Sequence, residues 1–189
     1  DALDADGWKR RSVYQILTDR FALAKGGRDT CDDPGCEPPK GYGNYCGGSF
    51  QGVVEQLAYI QGMGFDAIWI SPVADNQPCG YHGYWARHQF EIESKFGGAA
   101  GLQALMTACR SRGIAVMLDI VANHMGPPSS PSDFAEFSPF NSTEHVSLAT
   151  DAFDDRLDAE RERVSGLPVD ADDAKPTVPC IVELLVARL

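Results

Sequence analysis

Two almost uninterrupted apolar runs constrain the fold of this chain more than any other feature. Residues 65–70 (FDAIWI) and residues 114–121 (IAVMLDIV) carry too few polar side chains for strands with one face in water. Such runs are typical of parallel strands that are covered on both faces by helices. An earlier β-branched and aromatic run, residues 12–17, predicts one more strand ahead of them. We therefore expect three strands of a buried sheet.

A segment with helical spacing precedes each of the two later strands. Apolar residues recur every three or four positions and end at glycines, which predicts two helices. The positions are Val53, Val54, Leu57 and Ile60 before Gly62 and Gly64, and Leu102, Leu105, Met106 and Cys109 before Gly113. The order β-α-β-α-β predicts a parallel sheet with right-handed crossovers. This pattern suits either an open doubly wound sheet or the opening of a closed barrel, and a complete barrel needs about 250 residues.

Charge and hydropathy exclude two classes of partner. The formal net charge is -11 and no basic stripe is present, whereas nucleic-acid affinity comes chiefly from Lys and Arg. The apolar segment at residues 181–189 is interrupted by Glu183 and Arg188, and a membrane helix needs about 20 residues. We expect no nucleic-acid partner, no membrane partner and an uncharged ligand, and the sequence leaves the oligomeric state open.

The cysteines favour an oxidising compartment. Cys31, Cys36 and Cys46 crowd into one loop rich in Gly and Pro, a segment that gains order from cross-linking. Zinc is the weaker alternative, because the loop has no second close cysteine pair and no nearby His. We expect an extracellular protein, although the given sequence includes no signal peptide. The pairing stays open among Cys31, Cys36, Cys46, Cys79, Cys109 and Cys180.

Polar and aromatic clusters follow the second and third predicted strands. Ligand-binding residues of a parallel barrel lie at such carboxyl ends. The rings of Tyr84 and Trp85 can stack on a sugar, and the imidazoles of His82 and His124 can donate to its hydroxyls. A lone histidine after a strand is usually a hydrogen-bonded surface residue, and Trp85 could simply pack under the loop. Two clusters at equivalent positions favour a sugar site.

Together with these clusters, three segments resemble the α-amylase family, glycoside hydrolase family 13, and especially its secreted fungal-type members. They are residues 13–21 (VYQILTDRF), 45–49 (YCGGS) and 60–72 (IQGMGFDAIWISP), joined by the signature DIVANH at 119–124. The resemblance implies the N-terminal part of a TIM (β/α)₈ barrel with about three βα units, in a domain of residues 1–145. Residues 146–189 are expected to form a divergent, poorly ordered tail, since residues 146–175 hold nine acidic and four basic side chains.

The resemblance also assigns roles to single residues. His82 and His124 match histidines of the sugar subsite at the scissile bond, and Tyr84 and Trp85 match aromatics that stack beneath the substrate. Asp119 matches an acidic residue that supports the architecture of the site.

A metal ligand and a disulfide follow from the same resemblance. Asn123 matches a calcium ligand, so calcium is the expected cofactor. Cys31 and Cys46 match the family's loop disulfide, with Cys36 as a rival partner. The chain departs from the family at His88, where an Asp is usual, and this affects the expected hydrogen bonding of the loop.

The carboxylates that cleave glycosidic bonds are not found among these residues. A retaining glycosidase needs two carboxyl groups about 5–5.5 Å apart, and the family carries them after later strands. Residues 155–159 (DRLDA) are similar to the family segment that carries the nucleophile, but the residues before them are too acidic for a buried strand. We expect a truncated α-amylase-type hydrolase of α-1,4-glucans that is inactive alone. The alternatives are a non-catalytic carbohydrate-binding remnant and a second chain that supplies the missing strands.

Overall fold

The computed structural model describes residues 4–36, 43–127 and 134–142. The chain divides into two compact units, Asp1–Pro127 and Pro128–Leu189. The predicted tail at residues 146–189, including Cys180, lies outside the described residues.

The first unit contains the predicted alternation of strands and helices, with short additional elements. In chain order its elements are α1 (Ala5–Lys9), β1 (Val13–Ile16), α2 (Thr18–Phe21), α3 (Phe50–Gly62), β2 (Ala67–Ile70), β3 (Ala74–Asn76), β4 (Ala86–Ile92), a 3-10 turn (Ser94–Phe96), α4 (Gly98–Ser111) and β5 (Ala115–Leu118).

The strands β1, β2 and β5 form a parallel sheet in that order. Val13 pairs with Ala67, which pairs in turn with Ala115, and the register holds along all four residues of each strand. The helices α3 and α4 supply the two crossovers. The predicted β-α-β-α-β order is confirmed, as two βα units followed by a third strand, and the described residues do not close a barrel.

The third strand is shorter and less buried than its sequence predicts. It ends at Leu118 and not at Val121, although the Asp119 N–H still donates to the Ile70 carbonyl at 3.0 Å. All four residues of β5 are only half-buried. The reason is that β5 has a paired neighbour on one side only within the described sheet.

Local sequence explains where α3 begins and how closely it packs. The Ser49 hydroxyl caps the helix by accepting the Gly52 N–H at 3.2 Å. A Cβ at Gly52 would lie 2.0 Å from the Ala22 carbonyl oxygen, so only glycine allows this approach. The apolar face then buries Leu57 and Ile60 completely in the core.

An antiparallel hairpin separates β2 from α4, where the sequence predicts only a loop. It consists of β3 and β4, with register shifts around Asp75. The strand β3 has only three residues, and in β4 (ARHQFEI) three consecutive polar residues, 87–89, interrupt the apolar alternation, so the strand signal of both is weak. The hairpin matters because the aromatic cluster at residues 81–85 lies in the turn between its strands.

Two disulfides settle most of the open cysteine pairing. Cys31 pairs with Cys46, as the resemblance implies, and Cys36 pairs with Cys79. The second bridge joins the loop after β1 to the turn that carries the aromatic cluster. Cys109 is a free thiol buried in the core, and burial raises its pKa to about 12.

The described part of the second unit is short. The Phe137 N–H donates to the Phe134 carbonyl at 3.1 Å and closes a turn, and the Ser138–Pro139 bond is cis. Within the described ranges, none of the helices combines the length and the apolar character that crossing a membrane requires.

Candidate carbohydrate-binding site

A pocket of about 260 Å³ opens at the carboxyl ends of the three parallel strands. This is the edge of the sheet where the sequence predicts a ligand site. Most of its wall comes from strand ends or from the residue that follows a strand, and one tyrosine reaches in from the hairpin turn. The lining residues are Gln15, Ile16, Leu17, Trp69, Ser71, Tyr84 and Asp119.

Tyr84 connects the two sequence clusters. Its hydroxyl donates to Asp119 Oδ2 at 2.7 Å, so the turn between β3 and β4 is bonded to the end of β5. This hydrogen bond, together with burial and the negative charge of Asp119, raises the pKa of Tyr84 to about 12. The phenol therefore stays protonated at neutral pH, and its ring is fixed against the pocket.

His82 packs among the aromatic rings of the same turn. Its ring stacks on Tyr84 with centroids 5.7 Å apart and meets Trp85 edge-on at 4.9 Å. Its Nδ1 accepts the Tyr84 N–H at 3.0 Å, so the neutral ring carries its proton on Nε2. Burial, and to a lesser extent the charge of Arg20, lowers the pKa of His82. The imidazole is thus a neutral hydrogen-bond donor near pH 7.

A glycine makes this turn tight. Gly83 has φ +86, and a Cβ there would lie 2.5 Å from the Pro72 carbonyl oxygen. Its N–H donates to the Gly80 carbonyl at 2.9 Å. Only a glycine fits this position without strain, which explains why His82 and Tyr84 can lie on either side of it with stacked rings.

A buried ion pair in α2, just after β1, supports the turn, and the sequence patterns do not predict it. Asp19 is fully buried, pairs with Arg20 and accepts the Cys46 N–H at 2.8 Å. Burial raises the pKa of Asp19, while these hydrogen bonds and Arg20 act in the opposite direction. The Arg20 guanidinium lies 3.8 Å from the centre of the Tyr81 ring. The sequence signal that could have indicated this ion pair is the adjacent Asp19 and Arg20, which follow an apolar strand almost directly.

His124 and Asn123 lie beyond β5 and are exposed. His124 Nε2 is 3.2 Å from the Tyr84 carbonyl oxygen, and since a carbonyl only accepts, Nε2 is the donor. His124 Nδ1 lies 3.3 Å from Asn123 Nδ2 and accepts from that amide. In this arrangement His124 holds the backbone of the aromatic turn.

The described residues by themselves do not make a calcium site around Asn123. Calcium takes about six to eight oxygen ligands, and Asn123 offers one amide oxygen. Two groups of three potential metal ligands occur in the described part, and neither includes Asp119 or His124. Asn123 therefore fits calcium as a single ligand that needs others from outside this set.

Both of those groups are held together by bonds within the protein. One contains Asp29 with Cys31 and Cys46, whose sulfur atoms form a disulfide and offer no thiolate. The other combines Asp75, His88 and Glu91.

The second group is an ion-pair cluster. Asp75 Oδ2 accepts from Arg87 Nε at 3.1 Å and Nη2 at 3.0 Å, and His88 Nδ1 lies 2.7 Å away. A cation would have to compete with the guanidinium for this carboxylate. His88, the departure from the family pattern, therefore bonds locally within the hairpin.

Most of the residues expected at the site lie together. His82 contacts Tyr84 and Trp85, Tyr84 binds Asp119, and His124 binds the Tyr84 carbonyl. Tyr84 and Asp119 line the pocket, whereas His82, Trp85 and His124 are not among its lining residues. Their contacts with a sugar stay predictions. Gln15 and Trp69, which line the pocket from within strands, were missed because they read as ordinary strand residues.

Comparison with known proteins agrees with the β-α-β-α-β fold. The model of the family "Alpha amylase, catalytic domain" matches residues 15–143. An α-amylase of Saccharomycopsis fibuligera is 44% identical over 146 residues, which cover 73% of this chain and 28% of that protein. The α-amylase mde5 of Schizosaccharomyces pombe is 40% identical over 152 residues, covering 77% and 28%.

Solved structures give the same result. An α-amylase from Malbranchea cinnamomea superposes with a TM-score of 0.64 at 41% identity, covering 74% of this chain and 30% of that one. The Geobacillus thermoleovorans α-amylase GTA, solved with acarbose, gives 0.54 at 37% identity, covering 66% and 25%. The chain thus spans less than a third of the length of these relatives.

Proposed function

Because the chain belongs to the α-amylase family, we propose that its pocket binds glucose units of α-1,4-glucans such as starch, glycogen and maltooligosaccharides. The observation that carries this proposal is the fixed Tyr84 ring, which is bonded to Asp119 at the edge of the pocket. An aromatic face held in one orientation suits the apolar face of a pyranose ring. The acarbose complex of a related amylase supports the same ligand class.

Each residue of the cluster has a distinct part in this proposal. Tyr84 stacks on the sugar, and Asp119 keeps its ring in place. The Nε2–H of His82 donates to a sugar hydroxyl, while burial favours the neutral ring, whose Nδ1 accepts the Tyr84 N–H. His124 holds the Tyr84 carbonyl, and Trp85 packs edge-on against His82.

Cleavage of the glycosidic bond is assigned to the longer family enzyme. A retaining glycosidase acts through two carboxyl groups on either side of the bond, which the family carries after later strands. We propose that these 189 residues contribute sugar binding without bond cleavage. Calcium belongs to the proposal through Asn123, with the remaining ligands from outside the described set. An extracellular location is proposed from the two disulfides.

Calorimetry with maltohexaose tests the binding. We expect the 189-residue protein to bind the sugar, and Tyr84→Ala to weaken binding by up to about tenfold, since an aromatic contact contributes roughly 0.5–1.5 kcal/mol. Tyr59→Ala is the matched control, because Tyr59 is an exposed tyrosine of α3 and lines no part of the pocket. Equal affinities for the wild type and Tyr84→Ala would reject the site.

A reducing-end assay on soluble starch separates binding from catalysis. We expect no release of reducing ends by this chain. Turnover at a rate typical of α-amylases would show that the 189 residues carry their own catalytic carboxylates, and would overturn that part of the proposal.

A further inference from the structure

A buried polar network lies beside the aromatic turn and outside the pocket. Tyr45, Asn76 and Glu93 are 5%, 4% and 2% exposed, and none of them lines the pocket. They come from three different segments: the loop after β1, the end of β3 and the residue after β4. A buried carboxylate is costly unless donors surround it, so the partners of Glu93 indicate what the network does.

Glu93 joins the loop after β1 to the hairpin. Its Oε2 accepts the Tyr45 hydroxyl at 3.0 Å and the Asn76 N–H at 3.1 Å. Its Oε1 accepts the Lys95 N–H at 2.9 Å. Burial first, and then the charge of Glu93, raises the pKa of Tyr45, which therefore remains a donor. The Glu93 carboxylate thus holds the main chain of Asn76 in place.

Asn76 passes this constraint to the aromatic turn. Its Nδ2 donates to the Ala74 carbonyl at 2.7 Å, and its Oδ1 accepts the Trp85 N–H at 2.7 Å. The turn is closely packed against it, because a Cβ at Gly80 would lie 2.9 Å from Asn76 Oδ1. The side-chain amide acts here in place of a main-chain carbonyl, at a point where the β3–β4 register shifts.

We propose that Asn76 and Glu93 are positioning residues for carbohydrate binding: Glu93 orients Asn76, and Asn76 fixes the Trp85 backbone and so the rings of the turn. This inference rests on the proposed function. Neither residue touches the sugar. Their substitution therefore changes the affinity of the folded protein, whereas a merely structural residue would change its stability alone.

The test compares Asn76→Ala and Glu93→Gln with Gln61→Ala in the 189-residue protein. Gln61 is the control because its side-chain amide also bonds a main-chain carbonyl, that of Arg112 at 3.1 Å, and it lies in α3 outside the network and the pocket. Maltohexaose affinity is measured by calorimetry on folded protein, the midpoint of thermal unfolding by circular dichroism, and exchange of the Trp85 amide proton by NMR.

We expect Asn76→Ala to weaken maltohexaose binding about tenfold and to speed exchange of the Trp85 amide proton. Glu93→Gln should do both to a smaller extent. The double variant should bind no worse than Asn76→Ala, because the two residues act in series. Gln61→Ala should lower the unfolding midpoint slightly and keep its affinity within about twofold of wild type.

Two results separate the possible failures. If Asn76→Ala and Glu93→Gln fold and bind maltohexaose as the wild type does, the positioning role is wrong while the proposed function stands. If the wild-type protein does not bind maltohexaose, the proposed function itself fails. Should Asn76→Ala not fold, Glu93→Gln decides the outcome by the same two readouts.

Discussion

The parallel sheet and the turn between β3 and β4 are stabilised by different interactions. In the sheet and its helices, apolar side chains such as Leu57, Ile68 and Leu105 are completely buried, and apolar burial is non-directional. In the turn, single hydrogen bonds, a disulfide and stacked rings set the geometry. The comparison indicates that the core supplies most of the stability, while directional polar contacts give the site its shape.

The largest effect is expected from the core. Leu57→Ala removes a completely buried side chain of α3 and should lower the free energy of unfolding by about 2–5 kcal/mol. Urea denaturation followed by circular dichroism measures this change. Maltohexaose affinity of the folded fraction should stay within about twofold of wild type. A tenfold loss of affinity would show that the core also sets the geometry of the site, which contradicts the comparison.

The disulfide Cys36–Cys79 is expected to affect both stability and binding. It closes a segment with a sequence separation of 43 residues and ends in the turn. Replacing both cysteines by serine should lower the free energy of unfolding by about 2–4 kcal/mol and also weaken maltohexaose binding, because the turn loses a covalent anchor.

Cys109→Ala is the control for that experiment, since Cys109 is a free thiol in the core. It should change stability modestly and leave the affinity unchanged. If the double serine variant retained full affinity, the disulfide would act on stability alone.

The smallest expected effect is the pH dependence of stability and maltohexaose affinity through His82. The pKa of His82 is lowered from 6.5, so its contribution to stability is complete above pH 6.5 and declines as the pH falls from there toward the folded-state pKa. Protonating Nδ1 removes the acceptor of the Tyr84 N–H. We expect maltohexaose affinity to be constant between about pH 8 and about 6.5 and to fall at lower pH.

His82→Asn separates the two roles of this residue. The Asn side-chain oxygen can replace Nδ1 as an acceptor and does not titrate in this range. Calorimetry across the pH series should show weaker but nearly pH-independent binding for this variant. An unaltered pH profile would assign the dependence to another group.

The sheet was predictable because its signals are local. Residues 65–70 and 114–121 are apolar throughout, apart from one aspartate in each, and glycines end both helices, so burial and strand order follow from the sequence alone. Even there, the end of β5 at Leu118 was not predicted. Asp119 leaves the strand and binds the hydroxyl of Tyr84, which lies 35 residues away in the chain. A local sequence pattern cannot predict such a partner.

The candidate site was predictable only in part, for the same reason. The clusters around Tyr84 and His124 stand out after strands, and the structure brings them together. Asn76 and Glu93 resemble ordinary loop residues in sequence, and the pairing of Cys36 with Cys79 was one of several possibilities.

The amino-acid sequence by itself determined the β-α-β-α-β order, the family and the edge of the sheet where the candidate site lies, because hydrophobic periodicity and short motifs depend only on neighbouring residues. Only the tertiary structure decided which tautomer His82 adopts, which carboxylate holds Tyr84 and which buried groups hold the turn. Some of these hydrogen bonds are local, such as that between His82 and Tyr84, and others join distant segments, such as that between Tyr84 and Asp119. All of them depend on atomic distances that exist only after the core has packed.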